Sequence, residues 1–197
     1  GSPALMEQLA RMDADLQALR PGEDWGGSEQ FEGGEGLGLG DGAFPFITPG
    51  TFFEYPVLMG FIAGATALLV PGEGVSAGRV LAYFDINAAL ILAVWIVTVL
   101  ATARMARRRP WDAAMVAVAP GIILAGAINW DMWAVGLLAL GMYCFSRNKL
   151  VLAGIFIGLG TATKLYPVLI LGAVLLLALR TGRIRALLVT AGAAAAA

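Results

Sequence analysis

The stretch FDINAALILAVWIVTVLATA, from Phe84 to Ala103, decides the fold class of this chain. Asp85 and Asn87 stand at its beginning, and no charged residue follows them within the stretch. A straight α-helix needs roughly 20 apolar residues to cross a hydrocarbon core of about 30 Å. The stretch therefore predicts a transmembrane helix, in which Asp85 either caps the first turn or has a functional role.

The remainder of the chain after residue 43 is also rich in apolar segments. Hydrophobic residues make up 59% of the 197 residues and charged residues 14%, whereas an ordinary soluble domain has about 45–50% and about 25%. We therefore expect region 43–197 to be an all-α, polytopic transmembrane bundle. Its further candidate segments are 55–70, 112–128, 130–146, 150–163, 165–179 and 186–197.

The N-terminal part differs in charge and composition. Residues 1–54 hold ten acidic and two basic residues, a net charge of −8, whereas residues 55–197 hold four acidic and eleven basic residues, a net charge of +7. Apolar spacing predicts a short helix from Pro3 to Leu19. The acidic, glycine-rich linker that follows has too few apolar residues to form a core. Residues 1–42 are thus predicted to be a soluble acidic segment.

The basic residues of the apolar region predict its orientation. They form clusters at residues 104–109, 147–149 and 180–185, and each gap between clusters is long enough for one helical hairpin. Basic residues concentrate on the cytoplasmic side of membrane proteins, and all three clusters can satisfy this rule together. The turn from Asn129 to Asp131 and the residue Lys164 are then predicted on the outer side.

Composition excludes several chemistries. The chain has no histidine and a single cysteine, Cys144, so catalysis by a Ser–His or Cys–His arrangement is ruled out, and no histidine–cysteine zinc site can form. The low charge and the long apolar segments disfavour a nucleic-acid binder. We expect no metal and no cofactor, and we expect membrane lipids as partners.

Two charged residues interrupt apolar sequence on the predicted outer side. Asp131 lies in the segment INWDMW, and Lys164 lies in the segment GTATKLYP. Burying a lone charge costs free energy unless a partner compensates it, which makes such residues functional candidates. Asp131 could alternatively cap the helix that follows it. Lys164 needs an anionic partner, supplied by the protein, a lipid or a substrate.

Three ordered motifs carry a resemblance to a known family. They are FEYPVLMG at residues 53–60, INWDMWAV at 128–135 and LAGIFIGLGTATKLYP at 152–167. Over about residues 41–190 the chain resembles the family 87 glycosyltransferases, which are polytopic membrane enzymes of the GT-C fold known from actinobacteria. Residues 1–40 do not resemble this family and are similar to a segment of bacterial von Willebrand factor A-type proteins. We therefore expect a fragment or a fusion.

The resemblance implies a longer parent enzyme that transfers a sugar, with mannose as the first candidate, from a polyprenyl-phosphate donor. The acceptor would be a cell-envelope glycolipid or glycan at the outer face of the plasma membrane, and the lipid-linked sugar would be the partner. The chain has no clear counterpart of the family's outer-loop aspartate, which leaves Asp41 and Glu54 as candidates for the catalytic base. The substrate-binding residues implied are Lys164, Asp131, Glu54, Asn129 and Tyr166.

Two other functional classes stay open. In a non-catalytic membrane scaffold, Lys164 and Asp131 would form a structural ion pair. A secondary transporter would also place charges at broken helices. Such a transporter is expected to contain a repeat, and no convincing repeat relates residues 55–110 to residues 112–185.

Overall fold

A computed structural model describes residues 44–47, 55–72, 77–106, 108–126 and 130–197. Within these ranges 81% of the residues are helical and no strand occurs, which confirms the predicted all-α class. Short 3-10 helices cover Pro110–Ala113 and Tyr166–Leu169. The α-helices are α1 (Val57–Ala67), α2 (Ala77–Met105), α3 (Ala114–Ala117), α4 (Pro120–Ala125), α5 (Asp131–Ser146), α6 (Leu150–Thr163), α7 (Ile170–Thr181) and α8 (Ile184–Ala196).

Helix α2 is longer than the sequence predicts. It begins at Ala77 rather than at Phe84, so Asp85 lies inside the helix and cannot cap its first turn, which corrects that interpretation. The portion Gly78–Met105 has 28 residues, and it is the one helix in the described ranges that is long and apolar enough to span a membrane. At about 1.5 Å of rise per residue its length is roughly 42 Å, which exceeds a hydrocarbon core of about 30 Å.

Helices α5 and α6 form an antiparallel hairpin whose bounds match the predicted segments 130–146 and 150–163 to within one residue. The turn between them contains Asn148, whose φ of 60° lies in the left-handed region. Asparagine is one of the few non-glycine residues that tolerate this conformation. After the turn, the Lys149 amide donates a hydrogen bond of 2.9 Å to the carbonyl oxygen of Cys144.

The longer helices pack side by side in the order α2, α5, α6, α8, with α1 against α2 and α6 and with α7 against α8. Glycines allow the close contacts within this layer. A Cβ atom added to Gly154 or Gly158 of α6 would overlap a backbone carbonyl oxygen of α8. A Cβ atom on Gly136 of α5 would lie 2.5 Å from Cγ1 of Val94 on α2. Small residues at helix contacts are typical of helical membrane proteins.

The predicted segment 112–128 is not one helix in the structure. Helix α3 ends at Ala117, and α4 begins at Pro120, so two residues separate them. Proline lacks the amide proton that an uninterrupted helix would use, and it forces the preceding residue out of the helical region. Ala119 accordingly has an extended ψ of 118°. The indole of Trp95 donates a hydrogen bond of 3.0 Å to the carbonyl oxygen of Val116 and so holds this broken segment against α2.

The helix directions bring the basic clusters to one end of the molecule. A guanidinium nitrogen of Arg183 donates a hydrogen bond of 2.7 Å to the side-chain oxygen of Asn148, which joins the turn after α7 to the turn after α5. Helices α2 and α5 run parallel, because Trp130 contacts Asn87 near their beginnings while Gly136 lies against Val94 further along. The end of α2 therefore points towards the same basic end as the end of α5.

Large apolar side chains cover much of the outer surface. On α2, Leu92, Ile96 and Leu100 are about half exposed and follow one another at intervals of four residues, so they form a stripe on one helix face. Leu176 and Leu179 on α7 are exposed to a similar or greater degree. Extended apolar surface of this kind indicates contact with a membrane or with another protein.

Candidate functional site

The structure brings Lys164 and Asp131 together as an ion pair at the end opposite the basic clusters. Helix α6 ends at Thr163, and Lys164 follows in an extended conformation with φ −153° and ψ 144°. Asp131 is the first residue of α5, and its Oδ1 atom contacts the Lys164 ammonium. The two side chains are 28% and 44% exposed, so both charges keep some access to solvent or ligand.

The break in the chain at Lys164 is defined by local hydrogen bonds and by a proline. The Lys164 amide donates a 3.0 Å hydrogen bond to the carbonyl oxygen of Gly160 and so completes the last turn of α6. The Thr163 hydroxyl bonds to the same carbonyl at 2.6 Å. The buried Pro167 is the second residue of the 3-10 helix Tyr166–Leu169, and its missing amide proton is tolerated in this first turn. Lys164 therefore lies between two helices rather than within one.

An aromatic ring faces the lysine from another part of the chain. The Lys164 Nζ atom lies 5.8 Å from the ring centroid of Tyr55, just before α1. A cation within about 6 Å of an aromatic face is attracted by the ring quadrupole. Tyr55 also makes an edge-to-face contact with Trp130, with a centroid distance of 5.6 Å and an interplanar angle of 74°. The ammonium group is thus bordered by a carboxylate and a tyrosine ring.

A chain of hydrogen bonds fixes the aromatic part of this site. The indole nitrogen of Trp130 donates to the side-chain oxygen of Asn87 at 3.0 Å, and the Asn87 amide donates to the carbonyl oxygen of Tyr83 at 3.0 Å. The Tyr83 hydroxyl in turn donates to the carbonyl oxygen of Ala63 on α1 at 3.4 Å. Asn87 and Trp130 are buried, so these bonds satisfy polar groups that would otherwise be costly.

The site rests on an apolar core. The core joins α1, α2 and the first turn of α5, and Tyr55 of the site packs at its edge. Its members are Met59, Ala63, Ala67, Val70, Tyr83, Ile91, Trp130 and Met132. A tightly packed interior resists deformation, so the core holds the beginning of α5, and hence Asp131, in a fixed position relative to α1 and α2.

The substrate-binding residues predicted from the sequence fall into two groups. Lys164 and Asp131 are in direct contact, and Tyr166 follows Lys164 by two residues as the first residue of the 3-10 helix. Asn129 and Glu54 lie outside the described residues, as does Asp41, the other candidate for the catalytic base.

Sequence reasoning missed the contribution of Tyr55, Trp130 and Asn87. The sequence assigns no role to the tryptophan, and the asparagine is only a polar residue at the beginning of an apolar stretch. One available signal was Asn87 itself, since an amide inside an apolar helix needs partners when it is buried. Its partner Trp130 is 43 positions away in the sequence, so only the fold reveals the pairing.

The arrangement offers complementary groups for a polar ligand. A lysine ammonium has three donors and suits a phosphate as a point charge. The Asp131 carboxylate can accept hydrogen bonds from hydroxyl groups, and the Tyr55 ring presents an aromatic surface. Within the described ranges, no three His, Cys, Asp or Glu side chains come together as metal ligands.

Comparisons with known proteins find similarity over a short segment of the chain. The chain is 64% identical over 42 residues to uncharacterized proteins of Mycobacterium bovis and of two strains of Mycobacterium tuberculosis. The match covers 21% of this chain and 6% of each relative. No family model matches the chain, and no solved structure matches it.

Proposed function

We propose that the chain is part of a polytopic membrane glycosyltransferase of the GT-C type, similar to family 87, with the Lys164–Asp131 pair in its donor site. In this proposal Lys164 binds the phosphate of a polyprenyl-phosphate sugar at the outer face of the plasma membrane. The observation that carries the proposal is the position of Lys164, at a helix break, beside Asp131 and the Tyr55 ring.

The membrane part of the proposal is supported by α2 and by the exposed apolar surface. Helix α2 is long enough to cross a bilayer, and Leu92, Ile96 and Leu100 form an outward apolar stripe on it. The other helices of the described ranges are shorter. With the basic clusters in the cytoplasm, the positive-inside rule puts Lys164 and Asp131 at the outer surface, where lipid-linked sugars would be used.

The ion pair is compatible with binding an anion. Both side chains are partly exposed, so a phosphate can approach the ammonium without first removing the carboxylate. Asp131 then holds the lysine in position and remains available to accept a hydrogen bond from a sugar hydroxyl. The Tyr55 ring adds a surface on which the apolar face of a sugar ring can pack.

A structural role as a membrane scaffold is the second candidate. The same observation favours it, because the carboxylate already balances the charge of Lys164 and the cation–π contact stabilises it further. The scaffold and the enzyme predict different consequences when lysine is removed. In the scaffold, Lys164→Ala lowers stability and alters no ligand binding, whereas in the enzyme it removes a ligand contact.

The test is binding of a polyprenyl phosphate to the whole chain in lipid nanodiscs. A hydrogen bond to a charged group contributes about 1.5–3 kcal/mol, so Lys164→Ala should weaken binding roughly 10- to 150-fold. Lys164→Arg should retain part of the affinity. The matched control is Lys149→Ala, which removes an exposed lysine at the opposite end and should leave binding unchanged. Equal affinity of Lys164→Ala and the parent chain would refute the phosphate role and favour the scaffold.

A further inference from the structure

We propose that the basic end of the bundle carries a second binding site, a groove between the beginnings of α6 and α8 that takes the phosphate headgroup of an anionic phospholipid. The proposal rests on the membrane part of the proposed function and not on sugar transfer. It concerns the end of the molecule opposite Lys164, so the two sites can be tested separately.

The groove has a mixed polar and apolar lining. It is an open groove of about 530 Å³ between the two helix beginnings. Arg183 stands at its rim, where the bond of 2.7 Å to Asn148 fixes the guanidinium group. A guanidinium carries five N–H donors in a planar fork that matches phosphate oxygens, and the bond to Asn148 uses one of them. The lining residues are Asn148, Leu150, Val151, Arg183, Arg185, Ala186 and Val189.

The charge around the groove is positive and is not balanced by the acids that the structure describes. Arg147 and Lys149 lie in the turn after α5, and Arg180 lies in the last turn of α7, three residues before Arg183. Of the described acidic residues, Asp112 forms an ion pair with Arg109 at 3.3 Å. The other two are Asp85, in the first half of α2, and Asp131, at the beginning of α5, and both lie towards the opposite end. An anion of the surroundings therefore completes the site.

An apolar slot beside the groove favours a lipid over a free phosphate. The slot encloses about 80 Å³ between α5, α7 and α8, and it shares Arg183 and Ala186 with the groove. Its apolar walls include Phe145, Val174 and Leu177. A ligand that fills both spaces must carry a phosphate next to a hydrocarbon chain. Basic pockets between membrane helices on the cytoplasmic side bind phospholipid headgroups in this way.

The surface around the groove also fits a lipid. Val151 is 55% exposed and Leu188 is 65% exposed, so apolar side chains border the groove where α6 and α8 leave the basic turns. A phospholipid bound with its phosphate at Arg183 can lay its acyl chains along these residues. The site would anchor the turns after α5 and α7 at the headgroup layer of the inner leaflet.

The proposal is tested by native mass spectrometry of the whole chain in detergent, titrated with phosphatidylglycerol. At about 1 kcal/mol per basic residue, Arg183→Ala with Arg185→Ala should weaken binding roughly 30-fold. The control pair Arg147→Ala with Arg180→Ala removes the same charge from the same end outside the groove and should weaken binding less than threefold. Equal losses in the two double variants would overturn the groove as a site.

Two further sets of binding measurements identify the ligand and distinguish this site from the proposed sugar-donor site at Lys164. Phosphatidylcholine should bind the parent chain and the groove variant equally, and soluble glycerol phosphate should not compete with phosphatidylglycerol. Competition at similar concentrations would overturn the lipid assignment in favour of a free phosphate ester. Lys164→Ala should leave phosphatidylglycerol binding unchanged, whatever its effect on polyprenyl phosphate, and a loss in that variant would contradict a separate site.

Discussion

Replacing Gly154 by alanine should weaken the contact between α6 and α8. The new Cβ atom would overlap the carbonyl oxygen of Thr190, and it would lie 2.6 Å from Cβ of Ala193 and 3.0 Å from the amide nitrogen of Ala194. All three atoms are backbone atoms of α8 or a Cβ fixed directly to that backbone, so no flexible side chain can move aside. The two helices must separate locally instead.

The expected loss of stability in Gly154→Ala follows from this geometry. Adding a methyl group to a well-packed contact costs about 1–3 kcal/mol, and for a chain of this size each kcal/mol corresponds to a shift of about 2–4 °C in the unfolding midpoint. Gly154→Ala should therefore lower the midpoint of thermal unfolding in detergent by roughly 2–12 °C. The change can be followed by the loss of helical circular dichroism.

Gly192 supplies the matched control on the partner helix. A Cβ atom added there meets no atom within 4 Å. Alanine is favoured over glycine in a helix interior by roughly 0.5–1 kcal/mol, so Gly192→Ala should stabilise the chain. Both substitutions replace glycine by alanine, and they are expected to change the stability of the chain in opposite directions. If Gly154→Ala is as stable as Gly192→Ala, the close packing of α6 on α8 described above is wrong.

Two further predictions concern the buried amide and the membrane orientation. Asn87→Leu leaves the Trp130 indole without its partner and should destabilise the chain by about 1–3 kcal/mol in a detergent unfolding titration. The control is Thr102→Val, which removes a hydroxyl that bonds to the Thr98 carbonyl of the same helix at 2.8 Å and should lower the stability less. Equal losses of stability in the two variants would show that the Asn87 bond has no special role. In a cysteine-free background, Asn129→Cys should react with a membrane-impermeant thiol reagent in intact cells, whereas Arg183→Cys should not. Labelling of both positions would contradict the proposed orientation.

The α5–α6 hairpin could be predicted closely because charge and apolarity change together at its ends. Arg147 and Lys149 interrupt two apolar segments, and Lys164 ends the second. The beginning of α2 could not be predicted in this way. Arg79 and Asp85 interrupt the apolar pattern there, yet the helix continues through both residues back to Ala77, and the Tyr83 hydroxyl bonds this part of it to α1. Apolarity alone therefore underestimates helix length where charges interrupt the apolar pattern.

The break in segment 112–128 could not be predicted for the opposite reason. The sequence is apolar throughout, but Pro120 sets a local backbone constraint that hydropathy does not register. Within the candidate site, the pairing of Lys164 with Asp131 was one of the alternatives that the sequence left open, because each charge needed a partner. The Tyr55 ring could not be assigned to it, since 109 positions separate the two residues and no periodicity relates them.

The length of α6 has a consequence for the bilayer itself. Its 14 residues rise by roughly 21 Å, about 9 Å less than a typical hydrocarbon core. In the proposed orientation, with Lys149 held at the inner headgroups, the ammonium of Lys164 would stop below the outer headgroup layer. A short helix of this kind is accommodated by local thinning of the bilayer, and a charge at that depth draws headgroups and water inward. Hydrophobic mismatch at this hairpin would thus lower the outer-leaflet phosphates towards Lys164, and lipids with shorter acyl chains should favour the folded chain.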